Sequence, residues 1–521
     1  MKILCGYNVN IDSVYRVSGA EVSELLETFE MTEILEKIEN PPGKILSESD
    51  FVAGLAYCMK NGCGAEWLVF ERSVFEFLKN RYFEKSIVRM GGNAGIMANA
   101  LSQLGAFRVI PNVAVPSKTQ LSLFSKKAIY FPDASTQRKE NSGTESEEDL
   151  DIVFSKQDPI HFVFDFSKGD TFSLYGTEVR APRENRFIAT CDHLNFRLFV
   201  NPAFEKYALE HACEIDGALI SGFHLLLESY SDGSSYKTIL ENTLCQLRLW
   251  KAENDKLRVH LEFGHFASKE IASSVFLEFA AISDSIGMNE DELAMLRQFH
   301  GVSGEGLLRM EAGAVGDAAC RLASRYGLKN LLIHTREFVL TVFKPNVVPD
   351  KSDSKQDSKQ DSNQDSKQDS KQDFKQNSKQ DSKQDSKPVS ESSANFRVSG
   401  ELGDFEISSL QKIAGQKIEA LKFGVSCAGA YAASGRLEGR KFVEEEASKL
   451  KESTIGRKQL ELFLTAFNGQ VFGQGAYAFK GEYILCMLPT LLSKSPVTTV
   501  GLGDTLTAGI FLRELELDVQ A

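Results

Sequence analysis

The sequence predicts an α/β fold with a largely parallel sheet flanked by helices. Short apolar segments with strand character alternate along the chain with longer segments of helical spacing. Such alternation is typical of parallel sheets whose crossover connections are helices. Ligands of these sheets bind beyond the carboxyl ends of the strands, so polar residues that follow strands are the first candidates for a site.

The strands and helices are predicted from the residue types in each segment and from the spacing of its apolar residues. Short runs of β-branched and large apolar residues predict buried strands, whereas apolar residues three or four positions apart predict helices. The predicted elements are, in chain order, a strand in KILCGY (2–7), a helix in NAGIMANALSQLG (93–105), a strand in RVIPNVAV (108–115), a strand in GALISGFHLLL (217–227), a helix in YKTILENTLCQLRLWKAEN (236–254), a strand in LRVHLEFGHF (257–266), strand, turn and helix within 275–299, a helix in GDAACRLASRYG (316–327), a strand in KNLLIHT (329–335) and a helix over 505–515.

Two parts of the chain fit this alternation less well, residues 13–88 and roughly 150–200, and we expect them to form a smaller lid layer. The remaining residues, 1–350 and 389–521, are predicted to form the main domain, into which the lid segments are inserted. Residues 351–388 repeat Ser-Lys-Gln-Asp with a period of four. A segment with so little apolar surface cannot offset the entropy lost on ordering, so we expect a disordered insertion.

Composition limits the classes of function. The chain has 521 residues, is 42% apolar and 25% charged, and carries a formal net charge of −13. This charge argues against nucleic acid or an anionic membrane as a partner. The nine cysteines form no CxxC pair, which indicates reduced thiols. The start has no signal-peptide pattern and no run is long enough for a membrane span, so we predict a soluble, cytoplasmic protein.

The stretch VGLGDTLTAGIF (500–511) places an acid at the start of the last predicted helix. Gly501 and Gly503 permit a tight backbone turn that most side chains would obstruct. The free N–H groups and the positive dipole end of a helix start attract anions. Asp504 is therefore either a helix cap or a catalytic acid, and these residues alone leave both open.

Two further stretches carry polar groups that suit sugar hydroxyls. In YNVNID, Asn8, Asn10 and Asp12 occupy alternate positions and would point the same way in extended backbone. The alternative is a polar strand end with a local turn. In MGGNAG, Asn93 can cap the following helix, while Gly91 and Gly92 let a ligand approach the backbone. A plain capped turn explains the first glycine and leaves the second unexplained.

Two acids are candidates for holding a cation. In VHLEFGH, Glu262 is predicted to point away from the apolar face of a strand, near the end of that strand. It could help to hold a cation there, and the alternative is a carboxylate that is merely solvated. His260 and His265 are not at a convincing zinc spacing and are interpreted as structural. In GMNEDE, Asn289 and Glu292 match a capping box, and a capped Glu can still face the hydration shell of a magnesium ion.

RAPRENRFI places three arginines, among them Arg186, within seven residues. Arginine forks suit phosphate, so the cluster indicates an anion site, with a surface salt-bridge network as the alternative. The sequence lacks the motifs of other phosphoryl-transfer enzymes and of serine hydrolases. The chain contains no GxxxxGK loop followed by Ser or Thr, no set of protein-kinase motifs and no nucleophile elbow.

Taken together, these segments resemble the archaeal ADP-dependent phosphofructokinase/glucokinase family of ribokinase-like sugar kinases. GGNAG is similar to the family's sugar-side Gly-Gly motif, GLGD to its late G-x-G-D motif, and HLE and NEDE to its H-x-E and N-x-x-E elements. YNVNID and NRFI also resemble family segments, and the order is the family's along nearly the whole chain. The resemblance implies a ribokinase-like three-layer α/β/α domain with a smaller β-rich lid.

The resemblance also implies a reaction and roles. The β-phosphate of ADP would pass to a sugar hydroxyl with Mg²⁺ assistance, leaving AMP. Asp504 would take the hydroxyl proton, and Gly501 and Gly503 would contribute to an anion hole. The implied metal residues are Glu262, Glu292 and Asp504; the nucleotide-side residues are Arg186, His334, Thr335 and Val500; the sugar-side residues are Asn8, Asp12, Glu66, Gly92, Asn93 and Lys168.

Two sugars are candidate acceptors. The resemblance along the chain is closer to the phosphofructokinase branch, which implies fructose 6-phosphate and a modified glycolysis, with Lys168 and the arginine cluster as candidates for the sugar phosphate. Glu66 matches a glucose-binding acid of the glucokinases, which leaves glucose open as an acceptor. The competing hypotheses are an ATP-dependent kinase of the same fold and a non-catalytic binding regulator that uses 351–388 as an interaction arm.

Overall fold

The computed structural model describes residues 1–132, 158–301, 304–345 and 404–520. The predicted insertion at 351–388 lies outside the described residues, as do residues 150–157 of the second predicted lid segment. Within the described ranges, no helix is both long and apolar enough to cross a bilayer.

The strands and helices alternate as the sequence predicts. The described strands are β1 (Lys2–Gly6), β2 (Asn10–Arg16), β3 (Lys44–Ile45), β4 (Ala65–Val69), β5 (Ile87–Gly91), β6 (Arg108–Pro111), β7 (Ile160–Phe166), β8 (Thr171–Leu174), β9 (Thr177–Arg180), β10 (Asn185–Cys191), β11 (Gly217–Ile220), β12 (Arg258–Glu262), β13 (Ser285–Met288), β14 (Asn330–His334), β15 (Phe338–Phe343), β16 (Lys451–Glu452), β17 (Gln470–Phe472), β18 (Gly475–Lys480), β19 (Tyr483–Pro489) and β20 (Leu491–Leu492). The described helices are α1 (Gly19–Leu26), α2 (Met31–Glu39), α3 (Glu48–Asn61), α4 (Arg72–Tyr82), α5 (Asn93–Leu104), α6 (Lys118–Ser122), α7 (Pro202–Glu210), α8 (Tyr236–Glu253), α9 (Lys269–Ala280), α10 (Glu290–Met295), α11 (Arg297–His300), α12 (Gly304–Leu308), α13 (Ala312–Tyr326), α14 (Asp404–Ser434), α15 (Arg440–Ser448), α16 (Thr454–Phe467) and α17 (Leu502–Gln520).

The main domain is built on a sheet of ten strands among the described residues, in the order β17-β18-β19-β15-β14-β13-β12-β11-β1-β6. The six strands from β14 to β6 are parallel, and β15, β19, β18 and β17 continue the sheet antiparallel. Apolar side chains of α8, α9 and α13 pack on one face, and those of α5, α14 and α17 on the other. Helices on both faces bury the parallel strands, which explains their continuous apolar runs.

A second sheet lies apart from the first and has the order β3-β4-β10-β7-β2-β5. One face packs on α3, where Phe51, Phe164, Phe187 and Trp67 form the centre of a separate core. Its strands come from residues 10–91 and 160–191. It is therefore the smaller β-rich layer, while the segment limits 13–88 and 150–200 remain a prediction of domain boundaries.

The strands found in RVIPNVAV, LRVHLEFGHF and GALISGFHLLL are shorter than predicted and end at Pro111, Glu262 and Ile220. The last of them has a clear local cause. GALISGFHLLL predicts a strand over 217–227, but β11 ends at Ile220 and a 3₁₀ turn at Phe223–Leu225 follows. The reason is Gly222, whose φ of +96° bends the chain out of the extended conformation. This bend carries the next side chains to the carboxyl edge of the sheet.

Candidate active site

A cavity of about 320 Å³ lies between the carboxyl edge of the main sheet and the lid. Its walls come from the ends of β12, β13 and β14, from the start of α17, and from Glu66 of the lid strand β4. The lining side chains and backbone segments are those of Glu66, Asn93, His224, Glu262, Phe263, Gly264, His265, Asn289, Glu292, His334, Thr499 and 501–504. Eight of the predicted site residues therefore line one space: Glu66, Asn93, Glu262, Glu292, His334, Gly501, Gly503 and Asp504.

Asp504 lies in the first turn of α17, as the GLGD stretch predicts. Gly501 precedes the helix with a φ of +76°, a conformation that favours glycine. The Asp504 side chain is 8% exposed, and Asn93 Nδ2 donates a hydrogen bond of 2.7 Å to its Oδ1. Burial, with the negative charge of Glu262 nearby, raises the pKa of Asp504 to about 7. A carboxylate with such a pKa is suited to accept a proton near neutral pH.

The second glycine of the Gly-Gly pair is explained by a close approach of two backbones. Gly92 has a φ of +75°, and a Cβ at this position would lie 2.5 Å from the carbonyl oxygen of Asn8. Asn8 Nδ2 donates to Asn93 Oδ1 over 3.3 Å, and Ser221 Oγ donates to Asn8 Oδ1 over 3.1 Å. Asn8 therefore orients Asn93, and Asn93 in turn orients Asp504.

Asp12 lies outside the hydrogen-bonded series Asn8–Asn93–Asp504 and does not line the cavity. A Cβ at Gly91 would lie 2.1 Å from Asp12 Oδ1, so the first glycine leaves room for this carboxylate. Asn10 Nδ2 donates to the same oxygen over 3.0 Å, and Arg89 Nε lies 3.9 Å from Asp12 Oδ2. Burial raises the pKa of Asp12, although the charges of His161 and Arg89 oppose this shift. Asn8 and Asp12 therefore have different partners, unlike the single polar row predicted.

Glu262 is the last residue of β12 and both of its oxygens are occupied. Oε1 lies 2.7 Å from His334 Nε2, while Oε2 lies 3.0 Å from His260 Nε2 and accepts a 3.0 Å hydrogen bond from Thr507 Oγ1. Burial alone would raise the pKa of Glu262, but the two histidines outweigh it and lower the pKa. In the same pair, Glu262 raises the pKa of His334 against the effect of burial. Glu262 is therefore a buried carboxylate held ionised.

Glu292 forms the capping box that its spacing predicts, and it also faces the cavity. The backbone N–H and Nδ2 of Asn289 each donate to the Glu292 carboxylate over 2.9 Å, and Glu292 N–H donates to Asn289 Oδ1 over 2.9 Å. Burial raises the pKa of Glu292 to about 7, with the negative charges of Glu262 and Asp504 adding to the effect. The capping role and the site role are thus combined in one residue.

The carboxylates fit a cation that keeps its water shell. Among the described residues, no group of three or more His, Cys, Asp or Glu side chains is arranged to hold a metal directly. Glu262 and Glu292 already use their oxygens within the protein, yet Glu262, Glu292 and Asp504 surround one cavity. Magnesium retains several waters when bound by proteins, so outer-sphere contact suits this set.

The predicted nucleotide-side residues are split between the cavity and its margin. Arg186 of β10 donates from Nη2 to Thr499 Oγ1 over 3.2 Å, which links the lid to the loop before α17. Val500 lies in that loop, where its N–H donates to Thr498 Oγ1 over 3.2 Å. Thr335 is buried in the turn after β14 and donates to the carbonyl of Phe338, so its observed contact is structural.

The lid contributes a group of side chains that sequence reasoning missed. Thr190 Oγ1 donates to Glu66 Oε1 over 2.6 Å, and His161 Nδ1 lies 3.5 Å from the same oxygen. His161 Nε2 lies 3.1 Å from the buried carboxylate of Asp192. Strand register brings these residues together, since His161 is paired with Thr190 in the β7–β10 ladder. Nothing local in the sequence marks them.

Lys168 is placed away from the other sugar-side candidates. It is exposed in the turn between β7 and β8, and it does not line the cavity. The turn is fixed by Asp170, whose carboxylate accepts the Ser167 N–H over 2.7 Å. The structure therefore does not bring Lys168 to the cavity, and its contact with a sugar phosphate stays a prediction.

Comparisons with known proteins agree with this arrangement. The family model described as the ADP-specific phosphofructokinase/glucokinase conserved region matches residues 1–513. An ADP-specific phosphofructokinase of Thermococcus kodakarensis is 26% identical over 99% of this chain and 96% of its own length. An ADP-dependent glucose/glucosamine kinase of Pyrococcus abyssi is 24% identical over 99% of this chain and 94% of its own.

Solved structures share the whole architecture. A hypothetical ADP-dependent phosphofructokinase from Pyrococcus horikoshii superposes with a TM-score of 0.71 at 21% identity, covering 100% of this chain and 99% of its own. An ADP-dependent kinase in complex with fructose 6-phosphate and ADPβS gives a TM-score of 0.68 at 22% identity, covering 99% and 93%. The predicted architecture, a three-layer α/β/α domain with a smaller β-rich lid, is confirmed. With a family model that matches 1–513 and a site whose carboxylates converge at the GLGD turn, this chain belongs to the ADP-specific phosphofructokinase/glucokinase family.

Proposed function

We propose that the protein transfers the β-phosphate of ADP to fructose 6-phosphate, giving fructose 1,6-bisphosphate and AMP. The observation that carries this proposal is the position of Asp504, buried at a helix start in the same cavity as Glu262 and Glu292. Family membership and the relatives that are ADP-specific phosphofructokinases support the choice of nucleotide and acceptor.

Asp504 acts as the general base. As the sugar hydroxyl oxygen attacks the β-phosphorus, Asp504 accepts the hydroxyl proton, the new O–P bond forms and the bond between the β-phosphorus and the bridging oxygen breaks, so AMP leaves with that oxygen. Asn93, bonded to Oδ1, leaves Oδ2 for the substrate. The pKa of about 7 keeps a usable fraction of the carboxylate ionised at neutral pH.

The start of α17 stabilises the negative charge of the transferred group. The N–H groups of Leu502, Gly503 and Asp504 have no acceptor within the helix and lie at its positive end, where the conformation of Gly501 allows a close approach. Arg186 reaches the same loop from the lid and supplies a positive charge for a nucleotide phosphate. When bound, Mg²⁺ would neutralise phosphate oxygens, with Glu262 and Glu292 orienting its waters.

Glucose is a second candidate acceptor because Glu66 faces the cavity from the lid. Thr190 donates a hydrogen bond to its carboxylate, which also lies beside His161. The carboxylate is therefore fixed in a position to accept a hydrogen bond from a sugar hydroxyl. Relatives that are ADP-dependent glucose/glucosamine kinases support this alternative.

One assay separates these proposals. The purified protein is incubated with Mg²⁺ and either ADP or ATP, with fructose 6-phosphate or glucose as acceptor, and AMP and sugar phosphate are measured. We expect AMP with ADP and fructose 6-phosphate. AMP with glucose alone would favour the second candidate, whereas turnover with ATP and none with ADP would refute both.

A further inference from the structure

His224 lines the cavity, and the roles assigned above leave it unused. It lies in the 3₁₀ turn Phe223–Leu225 after β11, and its ring faces the same space as Asp504 and Glu66. Gly222 sets the direction of this turn with its φ of +96°. His224 belongs to the main domain and Glu66 to the lid, so the two side chains reach the cavity from opposite sides of the cleft.

The imidazole ring is held in one orientation. A Cβ at Gly264 would lie 2.4 Å from His224 Nδ1, so the glycine leaves room for the ring against the backbone. Phe266 contacts the ring edge to face, with centroids 6.3 Å apart and planes at 84°. A ring fixed on two sides is preorganised for a directional hydrogen bond.

The surroundings of the two ring nitrogens of His224 indicate which of them carries the proton. Nδ1 is shielded from solvent and has no hydrogen-bond partner in the described part of the chain. A buried N–H without an acceptor is rarer and more costly than an unused lone pair, so we assign the lone pair to Nδ1 and the proton to Nε2. Burial lowers the pKa of His224 to about 4, which keeps the ring neutral near pH 7. The accessible edge of the ring then carries an N–H donor.

We propose that His224 is a substrate-binding residue whose Nε2–H donates to an oxygen of the acceptor sugar held between it and Glu66. This inference rests on the proposed function and adds a specificity residue to it. Glu66 accepts from a sugar hydroxyl on one side, and His224 donates to a sugar oxygen on the other. The two contacts together present the reacting hydroxyl to Asp504.

The test compares three substitutions at His224 in the full-length protein. His224→Leu removes the donor, His224→Gln places an amide N–H near the Nε2 position, and His224→Asn places it nearer Nδ1. The control is His211→Leu, because His211 is half-buried beyond α7, near Glu214, at the opposite end of the sheet. KM for fructose 6-phosphate, for glucose and for ADP is measured for each variant.

We expect His224→Leu and His224→Asn to raise KM for the acceptor sugar at least about tenfold, the loss typical of one hydrogen bond in a built site. KM for ADP should stay within about twofold, and His224→Gln should recover most of the sugar affinity. KM does not depend on the fraction of the protein that is folded. If the Leu variant does not fold, the comparison of sugar KM between the Gln and Asn variants tests the inference. Equal sugar KM values for Gln and Asn, an unchanged Leu variant, or an equal rise in KM for ADP would each overturn the inference. A wild type that forms no AMP with either sugar overturns the proposed function itself.

Discussion

At the scale of the residue, Asp504 combines a chemical role with a thermodynamic cost. Its side chain is nearly buried, and its pKa in the folded protein is about 7, against 3.8 for the ordinary group. Ionisation is therefore easier in the unfolded chain, and the folded state loses stability as the pH rises from about 4 to about 7. A buried group that costs stability and faces a cavity is typical of a catalytic residue.

The substitution Asp504→Asn should therefore stabilise the protein at alkaline pH. The amide keeps an oxygen that can accept the hydrogen bond from Asn93, but it cannot ionise. The difference in unfolding free energy between variant and wild type should grow by about 2–3 kcal/mol between pH 5 and pH 8. Urea unfolding at the two pH values measures it.

The control for that measurement is Asp518→Asn, in the same helix but on an exposed side chain near Arg258. Water covers that side chain in both states, so its variant should show no comparable growth with pH. A stability difference for Asp504→Asn that shrinks as the pH rises would contradict the assigned environment.

Sequence reasoning predicted the residues whose environment is local. Asp504 follows directly from the glycine turn and the helix behind it, and Glu292 from the capping-box spacing. His161 and His224 could not be predicted in the same way. His161 faces Glu66 only because β7 pairs with β10 in one register, and His224 reaches the cavity only because Gly222 ends β11 early.

At the scale of the element, the start of α10 shows how a helix cap supports a site. Asn289 supplies two hydrogen bonds to the Glu292 carboxylate and accepts one from its N–H. The cap therefore satisfies a free helix donor and at the same time fixes the carboxylate toward the cavity. Helix stability and site geometry depend on the same side chain.

Asn289→Ala should affect both properties. Loss of the cap should cost about 1 kcal/mol of unfolding free energy. Loss of the Nδ2 donor should free Glu292, so the Mg²⁺ concentration for half-maximal turnover should rise several-fold. Ser268→Ala is the matched control, since Ser268 caps α9 by accepting from the Ile271 N–H away from the cavity. Equal Mg²⁺ dependence in the two variants would argue against a role for Glu292 at the ion.

At the scale of the whole molecule, the two sheets meet at the active-site cavity, while the described residues that flank 346–403 meet at a different surface. Arg89 and Arg186 of the lid donate to Thr498 and Thr499 in the loop before α17. The structure describes the chain up to Pro345 and again from the start of α14. Residues before and after this gap line one surface cavity near the start of β12. That surface is at the amino ends of the parallel strands, opposite Asp504.

Deleting residues 351–387 should therefore leave the reaction intact. The flanking chain ends lie on one surface, so a shorter connection can join them at little entropic cost. Turnover and both KM values should stay within about twofold of the full chain, measured with ADP and each sugar. A loss of activity in a folded deletion variant would show that the insertion acts on the site.

Whether Asp504 is the general base can be decided by measuring AMP formation by wild type and Asp504→Asn with ADP, Mg²⁺ and fructose 6-phosphate, alongside ADP affinity by calorimetry. We expect the variant to lose about 10²–10⁴-fold in turnover while its ADP affinity changes little. Turnover at the wild-type rate by the Asn variant would contradict the assignment of Asp504 as the base.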